Sequence, residues 1–239
     1  MNAKPKRHFH EELAQLKQRV LDMSGLAQEA VARAVRSVLD RDAAAAEQVL
    51  VDDRRIDALE IDIEDAVTSL LALHQPMAKD LRLLLATLKI SNDLERVGDH
   101  AVNIAQSAQR LLEHRMIAPE PELVEMARIA REMLGGALEA FVRGDSQAGR
   151  AICARDDQVD ALNRSLFRIL ITHMAEDPRT IGSAMELFLV SRNLERVADL
   201  ATNVAEEVVF LVEGRTIKHH AEAPTRRTRS QPENRRGFP

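Results

Sequence analysis

Apolar residues recur along most of this chain at intervals of three and four, the spacing of one buried helix face. Leu13, Leu16, Val20, Met23, Ala27, Ala30 and Ala34 form one such stripe. Ile90, Leu94, Val97, Ala101, Ile104, Ala108 and Leu111 form a second, alternating four and three as a heptad seam does. Leu187, Val190, Leu194, Val197, Ala201, Val204, Val208 and Leu211 form a third. Punctuation falls between the stripes. Asp42 and Gly144-Asp145 read as turns in which Asp caps the next helix, and prolines at 76, 119, 121 and 178 interrupt the pattern. The pattern predicts six helices, roughly 9–39, 43–74, 78–114, 122–142, 146–175 and 180–213. Beyond Gly214 no periodicity remains, and 215–239 is expected to be a disordered tail.

The chain repeats itself. Ser91-Asn92-Asp93-Leu94-Glu95-Arg96-Val97-Gly98-Asp99 returns as Ser191-Arg192-Asn193-Leu194-Glu195-Arg196-Val197-Ala198-Asp199, and Asn103 returns as Asn203, at an offset of 100. Upstream, Asp53 with Ile56-Asp57-Ala58-Leu59 returns as Asp156 with Val159-Asp160-Ala161-Leu162, at an offset of 103. Two separated blocks recurring in order mark a duplicated unit. Each unit holds three helices with short connections, so neighbouring helices run antiparallel. The predicted fold is all-α: two tandem three-helix bundles over 9–115 and 122–214, with the boundary at Pro119-Glu120-Pro121.

The repeated blocks are acidic. Asp53 and Asp57 are four apart and share a helix face, as do Glu95 and Asp99, and Glu60 and Glu64 extend the first stripe. Like charges at this spacing cost a helix about 0.2–0.5 kcal/mol per pair. The hairpin geometry brings the stripes together. Asp57 lies 19 residues before Pro76 and Glu95 lies 19 after it; Asp53 and Asp99 lie 23 before and after. Equal distances from the turn mean equal height in an antiparallel pair, so the four carboxylates face one level. Asp160 with Glu195 and Asp156 with Asp199 repeat the construction about Pro178. At about 100° per residue, Glu95 and Asp99 fall some 100–140° round from Leu94, on the shoulder of the helix. Such a group suits a surface-lying, oxygen-ligand cation site. The opposing reading is an ordinary solvated acidic face neutralised by Arg54, Arg96 and Arg196.

Composition narrows the function classes. The 239 residues contain no Trp, no Tyr and six Phe, so there is little to stack on bases. Residues 215–239 hold seven Lys/Arg and two Glu, which leaves the body 1–214 at a net charge of −10. An acidic body argues against nucleic acid and suits cations or basic partner surfaces. No run of eighteen apolar residues occurs, and Met1–His10 is basic without an apolar core, so neither membrane insertion nor a signal peptide is expected. The single Cys153 fits a reducing, cytoplasmic setting and reads as a small core residue. His100 has Leu200 as its counterpart and reads as a helix-surface residue; no Glu-x-x-His of the di-iron type occurs in the acidic blocks. Met23, Met126 and Met133 read as core. No catalytic constellation or phosphate-cradling glycine loop is found.

Gln75-Pro76, Asp80-Leu81-Arg82 and Leu94-Glu95-Arg96-Val97-Gly98-Asp99-His100-Ala101 with Asn103-Ile104 resemble the first repeat of the PhoU family. Glu176-Asp177-Pro178-Arg179-Thr180-Ile181, followed by Leu194-Glu195-Arg196-Val197-Ala198-Asp199 and Asn203, resembles the second. The resemblance spans roughly 9–215. It implies a homodimer of paired three-helix bundles and a cytoplasmic regulator of phosphate uptake. It further implies an adaptor between the ATP-binding subunit of the phosphate ABC transporter and a sensor histidine kinase, restraining phosphate-starvation signalling when phosphate is plentiful. Metal, whether iron, zinc or another divalent cation, would sit at Asp53/Asp57, Glu95/Asp99, Asp156/Asp160 and Glu195/Asp199. The second unit departs from the first, with Ala198 for Gly98, Asn163 for Glu60 and Phe167 for Glu64, so the first site is expected to hold metal more tightly, or the second to hold fewer ions. The alternative is a metal-dependent carboxylate-cluster enzyme or a metal storage protein.

Overall fold

The computed structural model describes residues 3–217, with side chains from His8 onward; the basic tail beyond Ile217 lies outside the described residues. Seven α-helices follow in order: α1 Ala3–Leu39, α2 Ala43–His74, α3 Lys79–Leu111, α4 Pro121–Arg143, α5 Ser146–Cys153, α6 Asp156–Glu176 and α7 Ile181–Glu213. A 3-10 turn at Pro178–Thr180 leads into α7. Among the described residues there is no strand.

The N-caps form as the spacing requires. The Asp42 side chain accepts from the Ala44 and Ala45 amides at 2.9 and 3.0 Å, and Asp145 accepts from Gln147 and Ala148 at 3.0 Å each. These two caps are 103 residues apart, so the duplication holds down to the start of each second helix. Every residue of the three apolar stripes is buried, as are Met23, Met126 and Met133.

Two boundaries differ from the pattern. Helix α1 begins at Ala3, because Pro5 sits in the first turn, where a missing amide costs no hydrogen bond. The helix expected over 146–175 is broken at Ala154–Arg155. There the Arg155 amide donates to Ile152 and the Gln158 amide to Arg155, both one residue tighter than an α-helix. Gly149 explains why α5 is set apart. A Cβ on it would stand 2.9 Å from the Ala205 carbonyl oxygen, so α5 lies closer to α7 than a side chain permits.

The third helices of the two units, α3 and α7, pack antiparallel along their length. Lys89 Nζ reaches both Glu207 oxygens at 3.1 and 3.2 Å, Asn203 donates to Asp93 at 3.5 Å, and Arg110 Nε donates to Glu186 at 2.8 Å. All three pairs share one register, which sets Gly98 and Ala198 at the same height. The molecule therefore has an approximate two-fold axis across this seam, and one continuous apolar core runs through both units. The duplicated acidic blocks lie at mid-height on this seam, one to each side.

Candidate functional site

In the first unit, α2 and α3 turn back on one another through Gln75–Ala78, which brings the four carboxylates near enough to raise one another's pKa. Gly98 permits the approach. A Cβ there would lie 2.9 Å from Asp53 Oδ1 and 3.1 Å from Ile56 Cδ1. Asp53 is thereby pressed against the backbone of α3. Its carboxyl is pushed up to about 6 by burial first, then by the charges of Asp57 and Asp99. Glu95 is pushed up to about 7 by burial first, then by Asp99, Glu60, Asp57 and Asp53. Asp57 and Asp99 are exposed while Asp53 and Glu95 are half-buried, which is the shoulder placement the helical wheel requires. Glu60 accepts from Asn92 at 3.3 Å and closes one end of the group.

The second unit brings the counterparts together as well. Asp156 is pushed up to about 6 by burial first, then by Asp199, Asp160, Asp157 and Glu195. Here, however, arginines supply the counter-charge. Arg192 pairs with Glu195, Arg196 with Asp199 at 3.0 Å, and Arg164 with Asp160 at 3.6 Å. Arg96 reaches across from the first unit into a depression of about 310 Å³ that it shares with Asp156, Arg196, Asp199 and Asn203.

In the first unit, among the described residues, none of Asp53, Asp57, Glu95 and Asp99 has a Lys or Arg within ion-pair distance. The sequence accounts for the difference residue by residue. Arg192 is replaced by Asn92 and Arg164 by Ile61. Arg96 matches Arg196, but Asp93 stands where the second unit has Asn193, and Arg96 lies 3.6 Å from Asp93 rather than pairing with Asp99. Arg192 and Arg164 were not singled out from the sequence, although their spacing of three and four from Glu195 and Asp160 is the signal that finds them.

Among the described residues, no group of three or more His, Cys, Asp or Glu side chains is placed so as to hold a metal ion. The first group is an open, all-carboxylate surface with two half-buried members held at raised pKa. Its donors are all carboxylate oxygens, the ligand type that hard divalent cations take together with water. His100 turns away from the acidic block and pairs through Nδ1 with Asn193 Oδ1 at 2.9 Å, across the seam. Burial, followed by Glu206, pushes the Cys153 thiol up to about 11, which keeps it protonated and unsuited as a nucleophile.

Comparison with known proteins places this architecture. The PhoU domain matches twice, over residues 20–108 and 123–208. The chain is 40% identical over 207 residues to the phosphate-specific transport system accessory protein PhoU homolog of Caulobacter vibrioides, covering 86% of this chain and 90% of that one. It is 40% identical over 208 residues to the homolog from Aquifex aeolicus, covering 87% and 94%. The crystal structure of PhoU from Pseudomonas aeruginosa superposes with a TM-score of 0.84 at 35% identity, over 87% of this chain and all 100% of that one. With duplicated three-helix units, paired acidic blocks at matched height and this likeness over most of its length, the chain belongs to the PhoU family.

Proposed function

We propose that this chain is a regulatory accessory protein of phosphate uptake, acting in the cytoplasm as an adaptor. Its partners in this reading are the ATP-binding subunit of a phosphate ABC transporter and a sensor histidine kinase, whose starvation output it restrains when phosphate is plentiful. The observation that carries the reading is the membership itself, with relatives named as phosphate-specific transport system accessory proteins across nearly the whole fold. The described helices support a peripheral role, since none is long and apolar enough to cross a membrane. A homodimer is part of the proposal.

The first acidic block is proposed as a divalent-cation site. Asp53, Asp57, Glu95 and Asp99 would hold the ion, which would reverse the local charge and change which partner surfaces this face accepts. The second block, carrying its own arginines, binds less cation or none. The carboxylates do no covalent chemistry in this account; they hold charge at a fixed place on a rigid helix pair.

Deletion of the gene tests the regulatory role. Kinase output should become insensitive to phosphate, staying high in replete cells, and the full chain should restore it. Unaltered phosphate dependence in the deletion strain would overturn the role. A pull-down from phosphate-replete cells, wild type against Glu95→Ala/Asp99→Ala, tests the adaptor surface. Loss of the transporter subunit and kinase from the variant is expected; full retention would remove the acidic block from the partner contact.

A further inference from the structure

At the end of the molecule away from the interunit linker, α1, α3, α4 and α7 enclose an open groove of about 600 Å³. Its floor is apolar: Leu13, Leu21, Leu83, Phe141 and Leu211. Its rim carries Lys17, Lys79 and Arg143, all exposed, against the single acid Asp80. Arg143 also pairs with Glu139 on its own helix.

The approximate two-fold symmetry shows what such a place looks like when filled. The segment Leu111-Leu112-Glu113-His114-Arg115-Met116-Ile117 returns, 100 residues on, as Leu211-Val212-Glu213-Gly214-Arg215-Thr216-Ile217. At the first copy the linker lies across the opposite end of the molecule. Ser183 Oγ donates to the Arg115 carbonyl, His114 packs on Gly182, and Ile117 packs against the core. Arg41 lies at the same end and donates to the Leu111 carbonyl at 2.7 Å.

At the groove end the carbonyl contact is kept by another residue, Arg82 Nε donating to the Leu211 carbonyl at 3.4 Å, while the filling from the Arg41 position is missing. The counterpart of Arg41 is Gly144, which keeps the left-handed backbone (φ 63° against 54°) but has no side chain. Large and small have also changed places, since Arg82 lies on Gly214 here, where His114 lies on Gly182 there.

We propose that this groove docks a short segment of a partner protein, one that offers one or two large apolar side chains flanked by carboxylates. Charge complementarity selects that occupant: an apolar floor under a basic rim favours an acidic amphipathic segment. The chain's own continuation argues the same way. Residues 218–239 carry six Lys/Arg against two Glu, a charge of the same sign as the rim rather than one that matches it. The site is separate from the acidic blocks and does not depend on cation binding there.

Panning the full chain against a display library of random peptides tests this directly. Enriched peptides should combine Asp or Glu with Leu, Ile or Phe. Lys17→Glu with Arg143→Glu should weaken them about tenfold or more. Gly144→Arg, which restores the filling residue of the other end, should block them; circular dichroism and thermal melting check that both variants are folded. If Gly144→Arg proves unfolded, the exposed charge-reversal pair decides alone. Enrichment without an acidic bias, ligands indifferent to the charge reversal, no enrichment, or displacement by anionic vesicles rather than by acidic peptides would each overturn the proposal. Binding that appears only when residues 218–239 are deleted would make the tail the occupant and overturn it equally. Failure here would leave phosphate-dependent kinase output untouched, so it is distinguishable from failure of the regulatory reading.

Discussion

The two acidic blocks are the same construction carried to different electrostatic ends. Both place an Asp-x-x-x-Asp on the second helix of a unit against a Glu-x-x-x-Asp on the third, and both press one Asp into the helix contact hard enough to push its carboxyl up to about 6. In the second block, Arg192, Arg196 and Arg164 answer the charge. In the first, Asn92 and Ile61 stand at two of those places, and Arg96 has Asp93 beside it. The skeleton is thus one property and the charge balance another. Duplication copied the first, while three or four side chains decided the second. In the proposal made above, the block without counter-ions is the one that would gain most from a cation.

Equivalence of the skeletons gives the largest expected effect. Leu94 and Leu194 are both fully buried on the seam. Truncating either to Ala should cost about 2–5 kcal/mol in urea unfolding, with the two values close to one another. A cost confined to one of them would break the symmetry claim.

Charge balance predicts smaller, signed effects. Asp53 and Glu95 titrate in the folded chain at about 6 and 7, above their ordinary values of 3.8 and 4.5. A group whose folded pKa is raised contributes stability below its unfolded pKa and loses it as pH rises through the folded one. Without divalent cation, these groups should therefore lower the melting temperature between about pH 4 and pH 7, and Glu95→Gln should flatten that fall. Glu195→Gln should instead lower the melting temperature at pH 8 by removing the partner of Arg192. Thermal melts across this range check both signs.

Exchanging the counter-ion residues sharpens the contrast by the smallest step in stability. Asn92→Arg should raise the melting temperature at pH 8 by about 1–3 °C, consistent with one partly exposed ion pair, and should weaken cation binding. Arg192→Asn should do the reverse in the second block.

The sequence made the hairpin arithmetic possible because a turn at Pro76 and regular helices leave little freedom between Asp57 and Glu95. The same regularity hid the break at Ala154–Arg155. Ala and Arg are good helix formers, and the interruption comes from tertiary packing, where Gly149 settles onto the Ala205 carbonyl. The α3–α7 seam was also illegible as a contact between units, although its residues were identified as buried faces within each. Apolar periodicity says which face is buried, not which helix covers it. The counter-ions were within reach at helical spacing, but choosing Arg192 over Arg54 as a true partner needs side-chain positions.

The most direct test is calorimetric titration of Mn²⁺ into chelator-treated, tag-free protein at pH 7.5. Three proteins are compared: wild type, Asp53→Asn/Glu95→Gln and Asp156→Asn/Glu195→Gln. The tightest binding should vanish in the first variant and survive in the second. Loss in the second variant with survival in the first, or no uptake by wild type at all, would contradict the account.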